Sequence, residues 1–301
     1  MTGVLWITGV SGFTGRHLVR CLRQAGASVR ILGVDIDIDV DAAADLDAAH
    51  AIDLTRAEAV AALASREPPD WVIHLAGLMP PAAEAEMWRV NVGGTVGLLL
   101  GLREGSRRPR IVSIGSAAEY APSAPSPLTE TAPCGGASVY GNTKLAQSLA
   151  CLRLGAECRL DVLIARTFNL VGPGLPARWL TGSLVHQFRA AAAEVQVGNL
   201  HTARDFIDVR DAVRAYWLLV QRGKSGGIYN VSSDTAVSVR EMLDTLGRVS
   251  GHAPRIRIDP SRVRVNDPVS VYGDSTRLRE VTQWLPTISL EQSLRDMLAQ
   301  A

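Results

Sequence analysis

Lysine is almost missing from this sequence. Of 31 basic residues only Lys144 and Lys224 are lysines, so a lysine at a chosen place marks a need for an amine, where arginine serves for charge elsewhere. Net charge is missing too: +1 over 301 residues gives no electrostatic case for nucleic acid or an anionic membrane surface. No apolar run approaches the roughly 18 residues a spanning helix needs, and the chain enters a strand pattern at once, without a charged leader. The four cysteines, at 21, 134, 151 and 158, form no C-x-x-C and sit near no histidine pairs. That argues against a metal site or a disulfide framework and for a reduced, cytoplasmic protein. Cys134, in a loop, reads as a bystander thiol.

What is present is ordinary in bulk and specific in places. Hydrophobic residues make up 47% and charged residues 20%, as in a soluble globular protein large enough for one big or two interlocked domains. Ser138-Val139-Tyr140-Gly141-Asn142-Thr143-Lys144 reads as the start of a helix, with Tyr140 and Lys144 one turn apart on the same face.

The N-terminus supplies a context for that pair. Val4 to Thr8 is a short apolar run of the kind buried on both faces of a parallel sheet. It leads into Gly9-Val10-Ser11-Gly12-Phe13-Thr14-Gly15 and then a helical pattern through Leu18, Val19 and Leu22. Strand, glycine turn and helix together form a dinucleotide fingerprint, in which the backbone approaches a pyrophosphate held at the helix N-terminus. A second strand, Val29 to Val34, ends at Asp35, the first of six aspartates in thirteen residues. An acid there accepts ribose hydroxyls and repels a 2′-phosphate, which leans the cofactor slightly towards NAD over NADP; a merely solvated acidic loop is the alternative. Asp53-Leu54 precedes a helix with Thr55 as its cap, and Asp53 is either an acceptor for the adenine amino group or a turn residue. Trp71 to Ala76 forms a strand whose end, Leu75-Ala76-Gly77, is small enough for a cofactor to cross. His74 within it reads as a buried, hydrogen-bonded core residue.

A helix over about 82–103 carries Gly93-Gly94, and glycine pairs cost helix stability, so something packs closely there. Strands at Arg110 to Ile114 and Leu160 to Arg166 flank the Tyr140 helix. Regular alternation of strands and helices means a doubly wound α/β sheet of the Rossmann type with a smaller α/β lobe after it. The division expected is 1–167, with roughly 204–231, for the dinucleotide and 168–203 with 232–301 for the substrate. No repeat and no disordered linker interrupts it.

With Gly9, Gly12, Gly15, Ser116, Tyr140 and Lys144 in this order, the chain resembles the extended short-chain dehydrogenase/reductase family, which acts largely on nucleotide sugars. Within it, the stretches IGSAAEY, RTFNLVGPG, VGNL, ARDFIDVRDAVRAYWLL and IYNVSS look most like GDP-6-deoxy-4-keto-mannose reductases. Leu170, Leu175, Ala118 and Val265 depart from that pattern, where those reductases usually have histidine, glutamine, often an acid, and proline. The resemblance implies a catalytic set of Asn91, Ser116, Tyr140 and Lys144, and a homodimer built on the helices near 84–104 and 141–155.

A phenol of pKa about 10 is a poor base at neutral pH, and a nearby Lys144 ammonium is expected to lower it; three units correspond to roughly 4 kcal/mol. Tyr140 then exchanges a proton with a sugar oxygen that Ser116 polarises, while Lys144 holds the nicotinamide ribose. Dehydratases of the family carry a catalytic acid and a polar partner where this chain has Ala118 and Ala117, so elimination is disfavoured. For the substrate, Asn169 and Arg204 are the first choices and Arg264 the second, an arginine being suited to a diphosphate. Arg204 has the alternative of pairing with Asp205 or Asp208. Glu119 is counted among the sugar contacts, although in an extended segment it faces away from Ala118's side, and Glu130 reads as a loop-fixing residue. The expectation is an NAD(P)H-dependent 4-keto reductase for a nucleotide-linked, GDP-type deoxysugar. A nucleotide-sugar 4-epimerase is the alternative, and a non-catalytic dinucleotide sensor the alternative of another class.

Overall fold

The computed structural model describes residues 3–263 and 268–300. The chain opens with β1 (Val4–Thr8), α1 (Phe13–Gln24), β2 (Arg30–Asp35), α2 (Val40–Ala43), β3 (Ala48–Ala51), α3 (Ala57–Arg66) and β4 (Trp71–His74). There follow α4 (Glu84–Met87), a π-helical stretch over Trp88–Gly94, α5 (Thr95–Glu104), β5 (Arg110–Ser116), α6 (Val139–Glu157) and β6 (Asp161–Thr167). Next come β7 (Asn169–Val171), α7 (Leu180–Arg189), β8 (Glu194–Val197), β9 (Ala203–Asp208), α8 (Val209–Arg222) and β10 (Ile228–Val231). The described chain finishes with β11 (Ala236–Ser238), α9 (Val239–Ser250), β12 (Arg255–Ile258), β13 (Ser270–Val271), α10 (Thr276–Thr282) and α11 (Leu290–Ala299).

Seven strands form one sheet in the order β10-β6-β5-β4-β1-β2-β3, each pair parallel. The alternation of side chains along β1 shows why its apolar run is continuous. Leu5 and Ile7 join a core with Leu18 and Leu22 of α1 and Tyr216 and Leu219 of α8. Trp6, between them, joins the opposite core with Leu63 of α3 and Leu98 and Leu102 of α5. The strand order reverses between β1 and β4, which opens a crevice beyond their C-terminal ends, where ligands of doubly wound Rossmann sheets bind.

A smaller sheet has β9 between β11 and β13, with β7 also on β9, and β12 pairs with β8. Its core includes Phe188, Phe206, Met242 and Leu294. The segment 204–231, expected to lie with the large sheet, is divided: β9 belongs to the small sheet, and α8 and β10 to the large one. Conversely, Leu278 of α10 and Trp284 return to the large core, where the Trp284 indole N–H donates to the Asp211 carbonyl at 3.0 Å.

Two local expectations change. The helix over 82–103 is interrupted by the π-helical Trp88–Gly94, and its closest approach is made by Gly97 and Gly101 of α5 in place of Gly93-Gly94. A Cβ on Gly101 would stand 2.7 Å from the Ala57 carbonyl, so these glycines let α5 lie against α3. Thr55 does not cap α3. Its own N–H and hydroxyl donate to Asp53 Oδ1 at 3.0 and 2.8 Å, a local turn that draws Thr55 away from the helix end.

Candidate active site

At the end of β1 the glycine turn is dictated by space. Gly9 has φ +70°, and a Cβ there would stand 2.7 Å from the Ala76 nitrogen. One on Gly15 would stand 2.6 Å from the Gly9 carbonyl oxygen. Gly12 caps α1 without a side-chain hydrogen bond, which leaves first-turn N–H groups of α1 uncapped, an arrangement that suits an anion. Asp35 ties β2 to this turn: Oδ2 accepts from Ser11 N–H at 3.0 Å and Oδ1 from Ile36 N–H at 2.8 Å. The acidic run beyond it is more than a solvated loop. Asp39 pairs with Arg16 at 3.0 Å and Asp47 with Arg23 at 2.7 Å. Asp53, besides its turn, meets Arg89 at 3.3 Å, and Thr55 and Arg89 hold its carboxyl below the usual range.

Phe13, in the turn, packs edge-on against His17 and Trp179, ring centroids 5.1 and 6.0 Å away. His17 donates through Nε2 to the Pro173 carbonyl at 2.8 Å, so α1 carries the loop 172–174 of the smaller lobe. Burial lowers the His17 pKa, keeping the imidazole neutral. The sequence offered no signal for His17 beyond its place one turn after Phe13.

Behind the site runs a chain of hydrogen bonds whose direction follows from its ends. Ala76 N–H donates to Thr8 Oγ1 at 3.2 Å, and Thr8 Oγ1 meets His74 Nδ1 at 2.7 Å. His74 Nε2 meets Thr95 Oγ1 at 2.8 Å, and that hydroxyl donates to the Asn91 carbonyl at 2.7 Å. Thr95 gives its proton to a carbonyl, so it accepts from His74, which fixes the Nε2–H tautomer. Burial pushes His74 down to about 3, and it stays neutral, as a core residue should.

Asn91 is fully buried in the π-helical stretch. Its Oδ1 accepts from Leu78 N–H at 2.6 Å, and its Nδ2 donates to the Leu78 carbonyl and to Thr143 Oγ1, both at 2.9 Å. The amide clamps the loop after β4 to α6, and both amide protons are engaged. Its geometry is that of a positioning group beside Tyr140 and Lys144.

α6 begins as expected, with Ser138 Oγ accepting from Gly141 N–H at 3.1 Å. Gly141 has to be glycine because a Cβ there would run into the Ala118 carbonyl, and so the turn Ala117–Glu119 lies directly on the helix beside Tyr140. Ser116 lies at the end of β5, and its hydroxyl favours the Tyr140 phenolate. Desolvation outweighs it and Glu119 opposes it, so the Tyr140 pKa is raised. The expected lowering by Lys144 is not found, for a geometric reason. The Lys144 ammonium, 6% exposed, is turned to the Ile114 carbonyl and Gln147 Oε1, each at 2.6 Å. Desolvation brings it down to about 8. Two of its three N–H groups are engaged, and the third has no partner among the described residues. Gln147, a residue that sequence reasoning missed, sits at i+3 from Lys144 and is itself held by Ser113 Oγ at 3.0 Å.

Glu119, expected at the sugar, is instead 0% exposed. The turn after β5 swings its carboxylate inwards to Ser116 N–H at 2.8 Å and Arg166 Nε at 2.9 Å. Glu130 fixes its loop, accepting from Asn230 N–H at 2.8 Å. On the far side of the crevice Asn169 is exposed, its Nδ2 donating to the Asp205 carbonyl at 2.8 Å. Arg204 is half-buried and donates to the Ala203 and Pro268 carbonyls at 2.7 and 2.9 Å. The Asp205 carboxylate is engaged with Ser233 and Gly273, and that of Asp208 with Arg210 and Ser293. Arg264 lies outside the described residues. Among the described residues no group of three or more His, Cys, Asp or Glu side chains is placed to hold a metal, and no helix is long and apolar enough to cross a membrane.

Comparison with known proteins agrees with this geometry. A profile of the NAD dependent epimerase/dehydratase family matches residues 5–232. The GDP-6-deoxy-D-mannose reductase of Pseudomonas aeruginosa is 32% identical over 310 residues, covering 99% of this chain and 97% of that protein. The solved structure of RMD from Pseudomonas aeruginosa, complexed with NADPH, gives a TM-score of 0.86 at 31% identity over 99% of this chain and 98% of that one. A UDP-glucose 4-epimerase from Streptomyces lividans is 28% identical over 309 residues, covering 95% of this chain and 92% of that protein.

Proposed function

The chain belongs to the NAD dependent epimerase/dehydratase family, and on that premise we propose that it reduces the 4-keto group of a GDP-linked 6-deoxysugar at the expense of NADH or NADPH. The observation that carries this reading is the placement of Ser116, at the end of β5, against the start of α6, which brings Tyr140 and Lys144. Burial raises the Tyr140 pKa, so the phenol keeps its proton at neutral pH. A protonated Tyr140 is the acid that reduction of a carbonyl needs.

The glycine cradle of residues 9–15 takes the pyrophosphate at the α1 N-terminus, Asp35 faces the adenosine ribose, and Leu75, Ala76 and Gly77 floor the crevice. When bound, the nicotinamide supplies the hydride. Ser116 donates to the keto oxygen and stabilises the charge that develops there, and Tyr140 delivers its proton to the same oxygen. Lys144 offers its third N–H to the nicotinamide ribose. Asn91 holds the loop at Leu78 and the helix at Thr143 in register. Asn169 and Arg204 hold the sugar diphosphate. Residues 1–167 with most of 204–231 thus serve the dinucleotide, and the remainder covers the sugar.

Dehydration lacks its acid, since Ala117 and Ala118 carry no ionisable group and the Glu119 carboxylate is buried and engaged. Epimerisation uses the same three hydroxyl and amine groups, and the likeness to a UDP-glucose 4-epimerase keeps it as the second reading. A sensor without turnover has no use for so complete a proton-transfer set. The free thiols support a cytoplasmic setting. Trp88 and Leu149, 44% and 59% exposed near the start of the π-helical stretch and on α6, support a homodimer through these helices.

The test is to mix the purified protein with GDP-, dTDP- and UDP-linked 4-keto-6-deoxysugars and follow loss of NADH and NADPH absorbance. Turnover is expected with the GDP sugar. Interconversion of UDP-hexoses with retained cofactor and no net oxidation would sink the reductase in favour of the epimerase.

A further inference from the structure

Two side chains of α1 take no part in the glycine turn's chemistry and reach instead to the smaller lobe. Phe13 and His17 lie one turn apart on the same face of the helix. Phe13 packs against the core of the large sheet and against that of the smaller lobe, its ring edge-on to Trp179 with centroids 6.0 Å apart. His17 is buried edge-on against Phe13 and donates from Nε2 to the Pro173 carbonyl at 2.8 Å. A carbonyl only accepts, so this bond has one direction.

Pro173 sits between Gly172 at φ +143° and Gly174 at φ +82°. Glycines on both sides give the backbone here little preference of its own. A Cβ on Gly172 would stand 2.8 Å from Val209 Cγ1, so the loop is backed by the start of α8. On the other side, a Cβ on Gly174 would meet nothing nearer than Gln300 Nε2 at 3.9 Å. Among the described residues, the His17 bond is the one side-chain hydrogen bond made to the backbone of the loop 172–179.

What that loop joins gives the bond its reach. Before it comes β7, which carries Asn169 and pairs with β9, the strand of Arg204. After it comes α7, and Trp179 and α7 both pack on the smaller core. A displaced loop therefore moves the sugar-side scaffold relative to the glycine turn. Transfer between two bound reactants is sensitive to misplacement of about 1 Å.

We propose that His17 is a positioning residue, whose bond to Pro173 sets the loop 172–179, and the sugar end with it, against the turn that takes the dinucleotide. The inference rests on the reading that the smaller lobe holds a nucleotide sugar. It gives α1 two duties, backbone N–H groups for the cofactor in its first turn and a side chain for the sugar lobe one turn later.

Three variants separate the bond from the packing. His17→Phe keeps a ring against Phe13 and removes the donor. His17→Gln loses the ring and keeps an N–H of about the same reach. Gly174→Ala strains the loop at its positive φ with His17 intact. Thermal unfolding shows which variants fold. Calorimetric titration with GDP, dTDP, UDP, NADH and NADPH reads binding, and the GDP-linked 4-keto sugar reads turnover.

In His17→Phe and Gly174→Ala, affinity for the nucleoside diphosphate that the wild type binds should fall about fivefold. Their kcat should fall as well, with cofactor affinity unchanged, and His17→Gln should recover most of both losses. Wild-type nucleotide affinity and kcat in folded His17→Phe overturn the proposal. So does a loss in His17→Gln equal to that in His17→Phe, which would credit the ring alone. Should His17→Phe not fold, Gly174→Ala decides by the same readouts. If the wild type binds none of the three nucleoside diphosphates, the reading of the smaller lobe fails and the proposal with it. Nucleotide affinity that follows the Pro173 bond in a protein inactive on every keto sugar supports the proposal and faults the assigned reaction instead.

Discussion

The two ends of the crevice are made in different ways. At the end bounded by β1, β2 and β4, the groups proposed for recognition are backbone: first-turn amides of α1, and glycines at which a Cβ would run into neighbouring backbone. At the end bounded by β7 and β9, the proposed groups are side chains, Asn169 and Arg204, each braced by residues far away in sequence. Asn169 leans on the Asp205 carbonyl, 36 residues on, and the Asp205 carboxylate holds Ser233 and Gly273, 28 and 68 residues on. A backbone cradle follows from local rules and suits a ligand part shared by many proteins. A side-chain end can be retuned by single substitutions.

That contrast can be broken most severely in the middle, where both ends meet. Tyr140→Phe removes the acid and leaves the cradle, so kcat should fall by about a thousandfold with cofactor affinity nearly unchanged. Equilibrium NADH and NADPH binding alongside turnover checks it, and a large loss of cofactor affinity would mean the two ends are not separable.

The next effect lies in the brace of the sugar end. Burial pushes Asp205 up to about 6, against an ordinary 3.8. The folded state therefore holds this proton more tightly than the unfolded one. The group's contribution is fully present below about pH 4 and is lost as pH rises through 6, up to ~3 kcal/mol in all. Urea unfolding of wild type and Asp205→Asn at about pH 4.5 and about pH 7 should show the wild type's advantage shrinking at the higher pH. A constant difference would remove the buried ionisation.

The smallest effect is expected at the diphosphate. Arg204→Ala should raise KM for the nucleotide sugar about tenfold, the worth of a charge-assisted hydrogen bond, with cofactor affinity untouched. A change in cofactor affinity instead would place Arg204 at the wrong end.

The same difference explains what could be read from the chain. The glycine turn after β1, the helix start at 138–144 and the core character of His74 all rest on neighbours within a few residues, and the structure has them. The failures are long-range. The sequence around Glu119 reads as extended, whereas Ser116 and Glu119 close a capping box that turns the carboxylate towards Arg166, 47 residues on. Lys144 was aimed at Tyr140 by spacing alone, while the Ile114 carbonyl, brought by β5, takes it instead. The stretch 204–231 reads as part of the dinucleotide domain, but β9 within it pairs with β7, β11 and β13. The π-helical stretch carries no local signature beyond glycines that a helix also tolerates.

The bonded chain from Ala76 through Thr8, His74 and Thr95 to Asn91 begins at a peptide N–H and finishes at a peptide carbonyl. Neither terminus can surrender or capture a proton, so the row is a one-way wire with both ends sealed, and it conducts nothing. In the proposed reaction a proton that Tyr140 gives up therefore does not return along this row, and solvent at the mouth of the crevice has to replace it, which ties recharging to the opening through which the sugar comes and goes.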